Sequence, residues 1–180
     1  MAVIDSKNVL RGLTVAEAMR RQVITVSAEA ALEKIIRFAF KYKVNAILVV
    51  DEHQHALGVV TKTDLMGAYY AGLPLDTPGK TIMVGPPLFC HQKDSLDAAL
   101  DLMRQHRIHR LYVYDEDPWL AVGVLAYPDI VGMLYRFCTR CDRSILKRRG
   151  DEGGEDLGEH LRVRDVMTSA VETLPAGASL

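Results

Sequence analysis

The chain has 180 residues, a formal net charge of −1, 49% hydrophobic residues and 25% charged residues. This composition is typical of a soluble globular protein, and the near-neutral charge gives no reason to expect a nucleic-acid partner. No apolar run reaches the roughly 18–20 residues that a membrane span needs, and the N-terminal residues lack the apolar core of a signal peptide. Three cysteines at low density do not indicate a disulfide framework, so we expect a cytoplasmic protein with reduced thiols.

The first half of the chain predicts five elements in the order β-α-β-β-α. A short extended segment, Val23–Val26, precedes a helix at Ala30–Tyr42, where apolar residues recur at helical spacing. The segments Ala46–Val50 and Leu57–Thr61 are rich in β-branched residues and predict two strands joined by a polar turn. A second helix, Lys62–Ala71, follows directly. This half is therefore predicted to be one α/β unit.

The second half repeats this order. Met83 aligns with Met19, and "GVLAYPD" at Gly123–Asp129 aligns with "GVVTKTD" at Gly58–Asp64. Such a repeat organises the whole chain, and it predicts two α/β units at residues 13–72 and 73–137. The elements of the second unit are predicted at Leu88–Cys90, Ser95–His106, Leu111–Tyr114, Val122–Leu125 and Pro128–Phe137, with Asp94 as the N-cap of the first helix.

The remaining residues predict a helix end with a flexible linker and the start of a third unit. Residues 138–162 are charged and rich in glycine, which is typical of a linker. Residues 163–180 restart the repeat and stop before a helix, so we expect the chain to be part of a longer protein. Cys138 and Cys141 form a CxxC motif without a second pair of zinc ligands. They are interpreted as idle thiols, with a metal or redox role as the alternative.

Thr61 and Asp64 stand where the second strand of the first unit meets its second helix. At an N-cap, the unpaired N–H groups and the positive end of the helix dipole together form an anion site. The Asp64 carboxylate could accept two hydrogen bonds from a ribose diol. A hydroxyl three residues before an acid is also a capping box, which needs no ligand. The motif alone leaves both interpretations open.

Each of the two tandem copies contains a methionine, a pair of apolar strands and the GVxxxxD-like segment. With this arrangement the chain resembles the cystathionine-β-synthase (CBS) domain family. The resemblance covers residues 13–137 and part of 163–180. It implies β-α-β-β-α units paired through their sheets, a regulatory module that binds an AMP-like adenosine nucleotide between the units, and commonly a homodimer that controls an attached domain or effector protein. The residues implied for the first cleft are Val23, Ile24, Thr25 and Ala46 around the base, Thr61 at phosphate, Asp64 at ribose, and His109 and Arg110 as cationic groups from the second unit.

The resemblance also implies a second cleft, with Leu88, Asn45 and Asp129. Asp129 is retained for a ribose, but Ala126 lacks the hydroxyl of Thr61, and Asn45 replaces the expected cation. Each missing polar or charge-assisted contact is worth about 1–3 kcal/mol. We therefore expect one competent cleft and one that is weak or empty.

Two functions of different classes follow from the sequence. The first is a nucleotide-sensing regulatory module without an obligatory cofactor or metal. The alternative is a ligand-free scaffold that only dimerises or docks a partner. The chain carries no GxSxG segment, P-loop or paired metal-binding histidines, so we expect it not to be an enzyme.

Overall fold

The computed structural model describes residues 12–136 together with Met167, Pro175 and Gly177. The chain divides into two compact units, residues 1–135 and 136–180. The fold described here is that of the first unit. The predicted linker, the third repeat, Cys138 and Cys141 lie outside the described residues, apart from the three isolated positions.

The first half forms a three-stranded sheet with two helices of about three turns each. Its strands have the order β1-β2-β3, with β1 parallel and β3 antiparallel to the central β2. A helix of four residues precedes the sheet and was not predicted. The elements are α1 (Val15–Ala18), β1 (Thr25–Ser27), α2 (Leu32–Lys41), β2 (Ala46–Val50), β3 (Ala56–Thr61) and α3 (Lys62–Tyr70).

The second half has the same topology, which confirms the predicted α/β fold of two β-α-β-β-α units. Its sheet has the order β4-β5-β6, again with one parallel and one antiparallel pair. The N-cap of its first helix is Ser95, whose hydroxyl accepts from the Ala98 N–H at 3.1 Å, and not Asp94 as expected. The elements are β4 (Phe89–His91), α4 (Leu96–Gln105), β5 (Arg110–Tyr114), β6 (Gly123–Ala126) and α5 (Tyr127–Arg136).

The two faces of β2 serve two different cores because successive side chains of a strand point in opposite directions. Ile47 and Val49 pack in the core of the first half, together with Ile35 of α2. Leu48 and Val50 point the other way and join a core that also contains residues of the second sheet. This second core holds Leu48, Val50 and Ala56 against Tyr112 and Val124. The two sheets are therefore joined by apolar packing.

The segment that leads into each half crosses the other half. Arg20 forms an antiparallel bridge with Val124 of β6, and Val84 forms the equivalent bridge with Val59 of β3. Both bridges have two backbone hydrogen bonds of 2.8–2.9 Å. The crossings are mutual, so residues near β1 come to lie beside the second sheet and residues near β4 beside the first.

Candidate functional site

Thr61 and Asp64 form the N-terminus of α3, and their contacts are those of a capping box. One carboxylate oxygen of Asp64, Oδ2, accepts from the Thr61 backbone N–H at 2.7 Å and from its hydroxyl at 2.6 Å. The Thr61 hydroxyl accepts from the Asp64 N–H at 3.3 Å. The other carboxylate oxygen, Oδ1, makes no hydrogen bond or ion pair among the described residues. The cap thus orients the carboxylate and leaves one oxygen available. We call these two residues the Asp64 site.

Asp129 occupies the matching position at the N-terminus of α5. Its Oδ2 accepts from the Ala126 backbone N–H at 2.9 Å, as Asp64 does from Thr61. Its Oδ1 is held by the Nε of Arg20 at 2.7 Å. Only 10% of the Asp129 side chain is exposed, against 49% for Arg20. We call Ala126, Asp129 and Arg20 the Asp129 site.

A small cleft lies between the two halves and contains about 300 Å³ of space open to solvent. The cleft brings together four of the residues expected in the first cleft, Val23, Ile24, Ala46 and Arg110. Its lining is completed by residues that the sequence did not indicate, namely Arg20, Gln22, Val44, Tyr112 and Val124.

Arg110 carries one unsatisfied donor atom in this cleft. Its Nε atom is buried and has no hydrogen-bond partner among the described residues. Burial raises the pKa of the Tyr112 hydroxyl, and the nearby Arg110 guanidinium opposes part of that rise. A buried donor without an acceptor is rare in folded proteins, because it loses its hydrogen bonds to water. The cleft thus contains a guanidinium with one unpaired donor among the described residues.

The structure groups the predicted residues differently from the sequence-based assignment. Three predicted residues line the same cleft as Arg20, namely Val23, Ile24 and Ala46. The Nε of Arg20 contacts Asp129. Three other predicted residues do not line the cleft, namely Thr61, Asp64 and His109. The reason is the mutual crossing of the lead-in segments, which pairs Arg20 with Val124 of the second sheet and leaves Val23 against the core that the two sheets share. The role of these residues in ligand binding stays a prediction.

The remaining predicted residues are held by the sheets and helix starts. Thr25 pairs with Leu48 in the β1–β2 register, and Ala46 stands opposite Thr61. The carbonyls of Asn45 and His109 accept from the first N–H of α3 and of α5, at 3.1 and 3.3 Å, and the Leu88 carbonyl accepts from Tyr112 at 3.0 Å. His109 is exposed, with its ring 5.0 Å from that of Tyr127.

No group of three or more His, Cys, Asp or Glu side chains in residues 12–136 is arranged to hold a metal ion. Nor does any helix in that part of the chain have the length and apolar character to cross a membrane.

Cys90 is buried in β4, and burial raises the pKa of its thiol from 9.0 to about 12. As the pH rises, the thiol ionises in the unfolded chain before it ionises in the folded protein. The free energy of unfolding is therefore unaffected by this thiol below pH 9 and decreases as the pH rises towards 12. We expect Cys90 to resist alkylation at pH 8 in the folded protein and to react after unfolding, as mapped by peptide mass spectrometry. Equal labelling rates in both states would contradict its buried position.

The two β-α-β-β-α units, joined through their sheets with a cleft between them, define a tandem domain pair. The chain belongs to the CBS domain family, whose model matches residues 15–71 and 80–136. A third unit is not shown by this match.

Two curated relatives and one solved structure illustrate the similarity. Inosine-5'-monophosphate dehydrogenase from Nitrosopumilus maritimus is 28% identical over 106 residues, which are 59% of this chain and 21% of that protein. The 5'-AMP-activated protein kinase subunit gamma from Kluyveromyces lactis is 30% identical over 96 residues, 49% of this chain and 29% of that protein. The chain thus spans less than a third of the length of either relative. A CBS domain protein from Pyrobaculum aerophilum, solved in complex with AMP, superposes with a TM-score of 0.60 at 24% identity, covering 65% of this chain and 89% of that one.

Proposed function

We propose that this chain is a regulatory module that binds an adenosine nucleotide between its two CBS units and thereby controls an attached domain or a partner protein. The ligand class is that of the Pyrobaculum relative, which was solved with AMP, and of the kinase subunit named for 5'-AMP. Binding regulates an effector through the difference in nucleotide affinity between two conformations of the module. The proposed role is not enzymatic, and the proposed compartment is the cytoplasm.

The observation that carries this proposal is the buried Arg110 Nε without an acceptor among the described residues. A phosphate group in the cleft would pair with this guanidinium, because guanidinium groups bind phosphate through strong charge-assisted hydrogen bonds. The cleft lining around Arg110 includes the apolar side chains of Val23, Ile24 and Ala46, which suit the flat faces of a base.

Asp64 supplies the second polar feature of the proposed site. Its Oδ1 is available among the described residues, while Oδ2 is fixed by Thr61. A carboxylate that is already oriented loses little conformational entropy when a ribose hydroxyl donates to it. Thr61 and Asp64 do not line the cleft themselves, but Thr61 pairs with Ala46, which does. We therefore propose that they bind the ribose and phosphate of a nucleotide at the edge of the cleft, with His109 and Arg110 as the cationic partners.

Isothermal titration of the full chain with AMP, ADP, ATP and S-adenosylmethionine tests this function. We expect at least one of these ligands to bind. Asp64→Asn, which keeps an acceptor for the Thr61 N–H, and Arg110→Gln should each weaken binding by roughly 10- to 100-fold, because each removes one charge-assisted contact.

Asp101→Asn is the matched control for the loss of one carboxylate. Asp101 lies on the exposed side of α4, where it pairs with Arg104 at 2.7 Å. It should leave nucleotide affinity unchanged. Absence of binding by all four ligands up to millimolar concentration would contradict the proposal, and so would wild-type affinity in both Asp64→Asn and Arg110→Gln.

The alternative function, a ligand-free docking scaffold, is favoured by exposed apolar side chains on α2 and α3. Phe40, Tyr69 and Tyr70 are 83%, 74% and 79% exposed. Exposed aromatic side chains of this kind are typical of surfaces that contact another protein. A homodimer through these helices is compatible with both functions, and light scattering of the wild type and of Phe40→Ser distinguishes dimer from monomer. Only the scaffold predicts that nucleotides leave the melting temperature unchanged.

A further inference from the structure

The two aspartates at the helix starts differ in one contact, and that contact indicates a function for Arg20. We propose that Arg20 closes the Asp129 site to the ribose of an uncharged nucleoside and makes it selective for phosphorylated nucleosides. This inference rests on the proposed nucleotide-binding function and adds a specificity-determining residue to it.

The starting geometry is the same in both sites. Each carboxylate uses Oδ2 to accept a backbone N–H from the residue three positions earlier, at 2.7 Å for Asp64 and 2.9 Å for Asp129. Each aspartate lies in the first turn of the helix that follows its strand, α3 or α5. The backbone therefore presents Oδ1 in an equivalent way at the two positions.

The neighbour of Oδ1 is what differs. In the Asp129 site the Arg20 Nε holds Oδ1 at 2.7 Å. In the Asp64 site the equivalent bridge position is Val84, which cannot form an ion pair. Arg20 and Val84 are each fixed by two backbone hydrogen bonds to the strand before the helix, β6 and β3 respectively. A single difference in the crossing segment thus explains why Oδ1 of Asp129 is paired and Oδ1 of Asp64 has no partner among the described residues.

An uncharged nucleoside cannot displace Arg20 efficiently. A hydrogen bond between a guanidinium and a carboxylate is roughly twice as strong as one between neutral groups. A ribose hydroxyl that replaces Arg20 at Oδ1 therefore exchanges a stronger contact for a weaker one. The Asp129 side chain, 10% exposed, has little access to water that could compensate.

A phosphorylated nucleoside offers Arg20 a new partner. Arg20 lines the cleft together with Arg110, and its own side chain is 49% exposed and able to move. When the guanidinium moves from Asp129 to a phosphate, one charge-assisted contact replaces another, and Oδ1 becomes free for the ribose. No covalent step is involved. The ligand class is therefore a nucleoside carrying at least one phosphate.

The test measures AMP and adenosine binding to the full chain in an Asp64→Asn background, which weakens the Asp64 site. Arg20→Gln should strengthen adenosine binding by at least about tenfold and reduce the ratio of AMP to adenosine affinity by a similar factor, because the competing contact is gone. Adding Asp129→Asn should abolish the gain. Arg20→Lys, which keeps the charge, should retain the preference for AMP. Arg21→Gln is the matched control, since Arg21 is the neighbouring exposed arginine and does not line the cleft.

The outcomes separate this inference from the proposed function. The role of Arg20 is overturned if Arg20→Gln folds but leaves the affinity for adenosine unchanged. If the wild-type chain binds AMP in the same experiment, the proposed nucleotide binding stands. A gain that persists after Asp129→Asn also overturns it. If neither the wild type nor any Arg20 variant binds a nucleotide, both proposals fail.

Discussion

Leu48→Ala is expected to lower the free energy of unfolding by about 2–5 kcal/mol, the range for removing a buried leucine side chain. Leu48 is 1% exposed and points from β2 into the core shared by the two sheets. Its neighbours there, Tyr112 and Val124, come from the other half of the chain. The substitution therefore weakens the contact between the halves. Chemical denaturation monitored by circular dichroism measures the change.

The control for this prediction is Ile47→Ala, one residue away. Ile47 is also 1% exposed, but it packs within the core of the first half. Both variants should lose stability by a similar amount. Only Leu48→Ala should also weaken nucleotide binding beyond what the loss of folded protein explains, because Tyr112 and Val124 line the cleft. Equal nucleotide affinity in the two folded variants would contradict the separation of the two cores.

Gly123→Val is expected to cost about 1–3 kcal/mol of stability, the usual effect of forcing extra atoms into a packed region. A Cβ atom at Gly123 would lie 2.6 Å from the Sδ of Met19 and 3.1 Å from the Arg20 carbonyl oxygen. Met19 is buried, so its side chain has little room to withdraw. The substitution would press on the crossing segment that carries Arg20. A thermal unfolding curve measures the loss.

Gly67→Val provides the contrast. Gly67 lies on the exposed side of α3, and a Cβ atom there meets no heavy atom within 4 Å. It should change stability by less than about 0.5 kcal/mol. If Gly123→Val is as well tolerated as Gly67→Val, the close approach of the crossing segment is not a constraint on the fold.

These crossings explain why the repeated segments both begin with glycine. Gly58 is the equivalent of Gly123, and a Cβ atom there would lie 2.9 Å from the Sδ of Met83 and 3.1 Å from the Val84 carbonyl oxygen. In each case a methionine and the next residue of the other lead-in segment pass over the glycine. The methionine of each repeat therefore packs against the glycine of the other repeat, and this contact accounts for both repeated residues.

The contrast between Thr61 and Ala126 is partly structural. Thr61 completes a capping box with Asp64, so its hydroxyl has a role without any ligand. Ala126 is 3% exposed and gives no side-chain cap, yet Asp129 still accepts the backbone N–H. Arg20 supplies the remaining contact of that carboxylate. In the first unit the Thr61 hydroxyl contacts the aspartate, whereas in the second unit the Arg20 guanidinium does so.

The order of helices and strands could be predicted because it depends on the spacing of apolar residues and on β-branched runs within short segments. Helical spacing of apolar residues located α2 and α4, whose buried residues include Ile35 and Met103. β-branched runs located the central strands. The four-residue α1 was missed because one turn is too short to show a period. Ser95 was missed as an N-cap because Asp94 next to it is an equally good capping residue by type.

Repeated spacing and apolar periodicity are local properties, so the amino-acid sequence alone was enough to predict two α/β units of one family. Which residues share a cleft depends on how the two sheets pack, and this is visible only in the structure. The two lead-in segments exchange sides, so Val23 lies with Arg20 and the second sheet, and Val84 lies over the first. The contact between Arg20 and Asp129 joins residues far apart in the chain. No local pattern encodes such a pair, because it depends on how two sheets pack.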